Sequence, residues 1–550
     1  MGRVIGVLMF CLVFCGGMAQ KPTPGKGNGG DGPKLVVGIV IDQMRADYLY
    51  RFMDKYGEGG FKRLLRQGFE FRNTNYDYVP TYTGPGHAAI YTGTTPYYNG
   101  IIGNDWYDRA AGRSVYVTGD DGVSSVGTAS AAGKMSPRRL MTTTMTDELR
   151  LSNNKQSKVI GVCLKDRGSI LPAGHLPTAA YWFDNKSGNW ITSTYYAEAL
   201  PGWVSAFNDK KLGDFYLSKP WNTLYPIAEY TSGLANGSDY RNDYKGEASN
   251  QFPHDLPGIK NAIGYELVRS SPFGNSFVTD FAIETLDQEK MGKGAFTDFL
   301  AVSYSSTDYV GHQFGINSIE VQDTYARLDR DLERLFAYLD KSVGMDNVLL
   351  FLSSDHGAAQ TPAQMVALGI PAGIFNSGKL KEQLSEVLVK SYGAGNWVLA
   401  YDNEQVYLNN ALILEKGLKR EEVLGRCLDY LRLMEGVQEV FSLSGGDSGA
   451  KGVHSERLFN GVSPSRSGDI AVVLQPGWFP GGYGSKGTAH GSGYSYDTHV
   501  PLVFMGWKIK QGSSGMAVNV TDIAATVCDL LRISFTNGNV GRPLGDLMRR

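Results

Sequence analysis

Three stretches of the chain are apolar without interruption over the length of a strand and then stop at polar residues. Residues 35–41 (LVVGIVI) run into Asp42, 299–304 (FLAVSY) into Ser305, Ser306, Thr307 and Asp308, and 348–352 (VLLFL) into Ser353, Ser354, Asp355 and His356. Continuous apolar runs, unlike alternating ones, fit strands buried on both faces of a parallel sheet. Between them the period changes: Ile319, Val321, Tyr325, Leu328, Leu332, Leu335 and Leu339 recur at helical spacing and predict a helix over 318–339. Strands alternating with helices predict an α/β sandwich with a largely parallel central sheet, whose site lies at the carboxyl ends of the strands.

Two stretches break this pattern. Residues 106–293 are aromatic, rich in Gly, Ser and Asn and weakly periodic, and are expected to form an inserted cap. Residues 379–475 hold helix patterns at 379–391 and 420–434 with strand patterns at 397–401, 437–441 and 469–474, which suggests a small α+β insertion. The catalytic core would then comprise 35–105, 294–360 and 476–550, closing with the strand 501–505 and the helix 520–531. No internal repeat or coiled-coil heptad is present.

Composition narrows the class. With 550 residues, 42% hydrophobic and 20% charged, the chain is ordinary globular material and neither disordered, fibrous nor multi-spanning. Its 53 Lys+Arg against 55 Asp+Glu leave a net charge of −2, so no basic field argues for a nucleic acid or an anionic lipid surface. Residues 1–19 carry one charge, Arg3, then the apolar run 4–14 and small residues ending at Ala19, which reads as a secretory signal peptide cleaved near Ala19. The run is shorter than the ~20 residues of a membrane span, and a Gly/Pro/Lys-rich linker, 20–34, follows. Export to the periplasm or medium is expected. Cys15 raises a lipoprotein, but Phe14 before it is too bulky for the usual small residue. Cleavage leaves Cys163, Cys427 and Cys528, an odd set that makes at most one bridge. A monomer is the working expectation.

Candidate chemistry gathers where the buried runs end. Asp42, Asp308-x-x-x-His312, Asp355-His356-Gly357 and His490-Gly491 offer three carboxylates and three imidazoles. That mixture suits two divalent cations and favours zinc. One helical turn would put Asp308 and His312 on one face, whereas adjacent Asp355 and His356 need a turn to splay them. Singly, each motif is more often a loop pair or a surface ion pair. Recurrence at successive strand ends argues against that. Thr83 lies in Pro80-Thr-Tyr-Thr-Gly-Pro-Gly-His-Ala-Ala-Ile-Tyr-Thr-Gly93, where Pro85 just inside a helix start puts a hydroxyl among free backbone N–H groups. By itself it would be a plain N-cap; beside a metal the same hydroxyl can be a nucleophile.

The order Asp42, Thr83 in T-x-T-G-P-G-H, Gly100-Ile-Ile-Gly-Asn-Asp105, Asp308-x-x-x-His312, Asp355-His356-Gly357 and His490 resembles the alkaline phosphatase superfamily, on its phosphodiesterase/nucleotide pyrophosphatase side. Leu164-Lys165-Asp166-Arg167 and Tyr181-Trp182-Phe183-Asp184 resemble, more narrowly, the PafA type of bacterial alkaline phosphatase. The resemblance implies one zinc on Asp308, His312 and His490 and another on Asp42, Asp355 and His356, with Thr83 as the nucleophile that becomes phosphorylated. Asn104, Lys165 and Arg167 would contact phosphoryl oxygens of small phosphorylated substrates, the last two projecting to one side of an extended segment. His499 is an alternative sixth ligand, His87 is expected to pack at the Thr83 helix, and His175, His254 and His454 are expected on loops or the surface. Cys163 reads as a buried strand residue.

Phosphate monoester hydrolysis is the leading expectation because Lys165 and Arg167 suit a dianion. A diesterase or nucleotide pyrophosphatase is the alternative. A sulfatase is disfavoured by the absence of Cys-x-Pro-x-Arg, and a non-enzymatic glycan-binding surface protein would leave the ligand set unexplained.

Overall fold

The computed structural model describes residues 32–231, 233–443 and 453–548. The expected signal peptide, and the linker up to residue 31, lie outside the described residues.

An eleven-stranded sheet runs through the molecule. Its centre is built from β1 (Leu35–Ile41), β2 (Val159–Cys163), β3 (Asp298–Tyr304), β4 (Val348–Ser353) and β5 (Leu502–Gly506), in the spatial order β5-β4-β1-β3-β2. The pairs β4/β1, β1/β3 and β3/β2 are parallel, and β5 joins β4 antiparallel. Alternate residues of β1 enter opposite cores: Leu35, Val37, Ile39 and Ile41 pack on one face, Val36 and Val40 on the other. Both faces are covered, so no position on the strand is free to be polar.

Helices α1 (Thr83–Thr92), α2 (Asp166–Ala173), α3 (Ser306–Phe314) and α4 (Ile319–Ser342) supply the cover nearest the site. Ser318 caps α4 by accepting the Val321 N–H at 3.1 Å, and its apolar stripe, Leu328, Leu332, Leu335 and Leu339, lies in the first core. The second core receives the helix Asp522–Leu531 through Ile523, Ala524 and Val527.

The segment 106–293 does more than cover a finished core. It contributes β2, Ala179–Asp184 and Asn189–Ser193 to the central sheet, with Val159 to Cys163 in register with Phe299 to Ser303. The strand patterns are short and set among aromatic loops, so the alternation of period that marks the rest of the sheet is hidden there. Between the helix Ser377–Tyr392 and the strand Ile470–Leu474 the chain builds a separate four-stranded sheet over its own core, including Leu384, Trp397, Val406 and Ile470. Cys163, Cys427 and Cys528 are free and buried.

Candidate active site

The carboxyl ends of β1, β2, β3 and β4 align, since Ile41 pairs with Tyr304, Val40 with Ser353 and Cys163 with Ser303. The loops beyond them therefore meet. Asp42 donates its N–H to the Tyr304 carbonyl at 2.9 Å, and its own carbonyl accepts the Thr307 hydroxyl at 2.5 Å. Met44 N–H donates to Ser354 Oγ at 2.9 Å, tying the β1 loop to the β4 loop.

Two groups of carboxylates and imidazoles result. Asp42, Asp355 and His356 have their ligand atoms within 4.8 Å of one another, as do Asp308, His312 and His490. Asp308 and His312 are four residues apart on α3, with His312 Nε2 3.0 Å from Asp308 Oδ1; His490 Nε2 lies 3.6 Å from the same oxygen. Each imidazole turns Nδ1 to a backbone carbonyl: His312 to Thr488 at 2.7 Å, His490 to Thr81 at 2.8 Å and His356 to Gly357 at 3.0 Å. A proton on Nδ1 leaves the Nε2 lone pair facing the group, the orientation a metal ligand needs.

In the other group Asp42 Oδ1, Asp355 Oδ2 and His356 Nε2 are buried without a hydrogen-bond partner among the described residues. Three such atoms converging in one place are costly unless a cation accepts them. The donor set, carboxylate oxygen with imidazole nitrogen, fits zinc. Burial and the Asp42 charge push the Asp355 carboxyl up. Burial opposes ionisation of Asp308 as well, yet His312 and Lys165 hold it well below the usual carboxylate range. Burial, with His356 and His312 close by, keeps His490 well below the usual imidazole value and so neutral.

Thr83 opens α1, is 1% exposed and follows Tyr82 in the cap position, which makes no side-chain cap bond. It is therefore not a plain N-cap. The helix it opens packs on Asp355 at Gly86, where a Cβ would collide with the Asp355 carbonyl. Lys165 Nζ is 3.4 Å from Thr83 Oγ1 and 2.6 Å from both Asp42 Oδ2 and Asp308 Oδ2, one carboxylate from each group. Asn104 Oδ1 accepts the Gly84 N–H at 2.8 Å, which leaves its NH2 as the end that can meet a ligand.

Lys165 and Arg167 converge by a different route from the expected extended segment. Lys165 precedes α2 and Arg167 lies in its first turn. Arg167 Nη1 donates to Tyr116 OH at 3.0 Å, Tyr116 donates to Asp166 Oδ1 at 2.7 Å, and Arg167 Nε is buried with no partner among the described residues. Tyr309 spreads its ring 4.9 Å from Lys165 Nζ and 5.0 Å from the Arg269 guanidinium. Tyr483 stacks on His312 at 5.2 Å. Tyr82 and His490 also wall a cavity of about 80 Å³ with Glu404, Leu458, Trp478 and Phe479.

His499 is outside both groups; its Nε2 meets the Arg72 carbonyl at 2.9 Å. His87 is buried, with Nδ1 on the Thr83 carbonyl and Nε2 on Ser303 Oγ. His254, expected on a loop or the surface, lies in a loop but is fully buried with Glu247 and Glu320, because its acidic partners offset the cost of taking an imidazole inside. His175 is partly buried against Asp147. Tyr116 and Tyr309 escaped the sequence reading, since a tyrosine in an aromatic-rich stretch carries no spacing signal.

The chain belongs to the type I phosphodiesterase/nucleotide pyrophosphatase family, whose model matches residues 36–499, within the alkaline phosphatase superfamily. Among its relatives, alkaline phosphatase PafA of Elizabethkingia meningoseptica is 46% identical over 550 residues, 99% of each chain. The crystal structure of wild-type PafA superposes with a TM-score of 0.92 at 46% identity, covering 95% of this chain and 100% of that one. A Myroides odoratus protein named calcium-transporting ATPase is 47% identical over 521 residues, 94% of this chain and 95% of its own.

Proposed function

We propose that this protein is an exported alkaline phosphatase that hydrolyses phosphate monoesters through a phosphothreonine on Thr83, with a zinc ion on each Asp/His group. The observation that carries the reading is Thr83 Oγ1 beside Lys165 Nζ, which spans Asp42 and Asp308 of the two buried groups. Bound zinc supplies Lewis acidity that eases ionisation of a hydroxyl and neutralises charge on a departing oxygen. The chain does the rest. The Thr83 hydroxyl gives its proton to solvent as Oγ1 attacks phosphorus and the P–O bond to the leaving group breaks, and the alcohol departs with a proton from solvent. Water then attacks the phosphothreonine, releasing inorganic phosphate and restoring the hydroxyl. The Asn104 NH2, Lys165 ammonium and Arg167 Nε orient the non-bridging oxygens and stabilise charge that grows on them.

The diesterase reading stays as the alternative because the matching family model is named for phosphodiesterases. The relative named as an ATPase makes ATP, itself a carrier of a terminal phosphoryl group, a necessary test substrate. Among the described residues no helix is long and apolar enough to cross a membrane. Purified protein should be assayed on an aryl phosphate monoester, an aryl phosphate diester, an aryl sulfate and ATP, before and after chelation, with zinc counted. Fast monoester turnover that disappears with two zinc ions is expected. Preference for the diester would replace this reading with the alternative, and full activity without metal would end both. N-terminal sequencing of the exported protein tests cleavage near Ala19.

A further inference from the structure

We propose that Gln43 is a positioning residue that ties the two Asp/His groups together and sets the metal affinity of the Asp308, His312 and His490 group. Gln43 follows Asp42 directly, is 3% exposed, and holds φ at +63°, the left-handed region that a side chain rarely adopts. Strain of this kind persists where surrounding contacts over-determine it, and here the contacts are specific. Its side-chain Nε2 donates to Asp308 Oδ1 at 2.7 Å, while its backbone N–H donates to Asp355 Oδ1 at 3.2 Å. One residue thus holds a carboxylate of each group. The amide oxygen lies against Gly311 of α3, where a Cβ would collide with it, so the helix carrying Asp308 and His312 is packed onto this side chain.

The chemistry of the donor matters. Lys165 also grips Asp308, through Oδ2, but with a positive charge that competes with a cation. The Gln43 amide is neutral: it orients the carboxylate without opposing a metal, as outer partners of metal ligands do. A space-filling residue would not need the amide, and glycine would relieve the backbone. Outer partners of this type contribute about 10–100-fold in metal affinity.

This inference rests on the two-zinc reading. The test titrates full-length, zinc-free protein with zinc against a competing chelator, for wild type and for Gln43→Gly and Gln43→Ala, and follows melting of the zinc-free forms. Glycine accepts the left-handed backbone, so that variant loses only the side chain. Gln43→Gly is expected to bind one zinc like wild type and the other about 10–100-fold more weakly; this selectivity for one site is the signature, since loss of a buried, packed side chain lowers the zinc-free melting temperature whichever role it has. Two wild-type affinities in Gln43→Gly would overturn the proposal, as would equal weakening of both sites, which marks a general structural role. Wild type that binds fewer than two zinc ions would instead overturn the two-zinc reading, and the proposal with it.

Discussion

The imidazoles of His356 and His490 lie face to face, with centroids 3.5 Å apart and planes 9° apart, although they belong to different Asp/His groups. Two imidazolium ions could not stack so closely; burial and neighbouring imidazoles keep His490 neutral, whereas Asp355 and Asp42 overcome burial to hold His356 up, at about 9. On the two-zinc reading, His490→Ala would remove one of the three side-chain ligands of its group. It should cost that group more than the ~10–100-fold typical of an outer partner. Elemental analysis is expected to fall from two zinc ions per chain towards one, and retention of both would exclude His490 as a ligand.

Thr83→Ala should remove nearly all turnover while zinc stays bound, because Asp42, Asp355 and His356 remain in place. Thr83→Ser keeps a hydroxyl and should retain measurable activity. Single-turnover trapping of phosphate on wild type but not on Thr83→Ala checks the assignment.

Removing Lys165 and Arg167 together should lower monoester kcat/KM by about 10²–10⁴, from ~1.5–3 kcal/mol per charge-assisted contact, and diester kcat/KM much less. Lys165 also bridges Asp42 and Asp308, so Arg167→Ala is the cleaner single variant. Tyr116→Phe should act in the same direction as Arg167→Ala but more weakly, since Arg167 keeps its charge and loses only the acceptor that orients Nη1, while Asp166 loses one donor. Equal losses on matched monoester and diester, with zinc unchanged, would remove the physical support for monoester preference.

Asp331 on α4 should give folding stability a pH dependence of its own. Burial pushes its carboxyl up to about 6, against Arg334 and Ser276, which favour the charged form. The folded value lies above the ordinary 3.8, so this stabilisation is fully present below about pH 4 and is lost as pH rises through about 6. Asp331→Asn removes the charge, keeps one oxygen to accept from Arg334, and turns an NH2 towards the Ser276 hydroxyl, which can accept from it. Its urea midpoint relative to wild type should improve between pH 4 and 7, by on the order of 2 kcal/mol in stability, and stay level above that.

Arg241→Ala should destabilise the protein by about 3–5 kcal/mol, because it leaves the fully buried Glu320 without its guanidinium partner. The neighbouring Asn242 N–H bonds the Gln313 carbonyl on α3, so the same variant is expected to loosen the helix that carries His312. Urea melts with parallel zinc counts measure both effects.

Much of the site was legible because its residues sit where buried strands stop. A strand covered on both faces is mostly apolar, so Asp42, Asp308, Asp355 and His356 stand out as the ionisable groups in the short polar runs just beyond β1, β3 and β4. Lys165 and Arg167 were visible for the same reason after β2, although the helix that aims them was not. Nothing local marks Tyr116, Tyr309 or the burial of His254, because the two tyrosines take their partners from tens of positions away or more, and His254 is buried only where Glu320, 66 positions on, joins nearby Glu247.

The amino-acid sequence by itself determined the alternation of strand and helix, the strand ends, and the residue types able to hold metal and carry phosphate, since these depend on local period and side-chain chemistry. The partition into Asp42, Asp355 and His356 on one side and Asp308, His312 and His490 on the other came beforehand from family resemblance alone; only the tertiary structure brought each trio's ligand atoms within 4.8 Å of one another and set His499 outside both. It also decided that part of the 106–293 segment extends the central sheet. The reason is register: parallel pairing of β2, β3, β1 and β4 brings four distant loops to one edge, and which side chains then meet is set by sheet pairing that no single loop encodes.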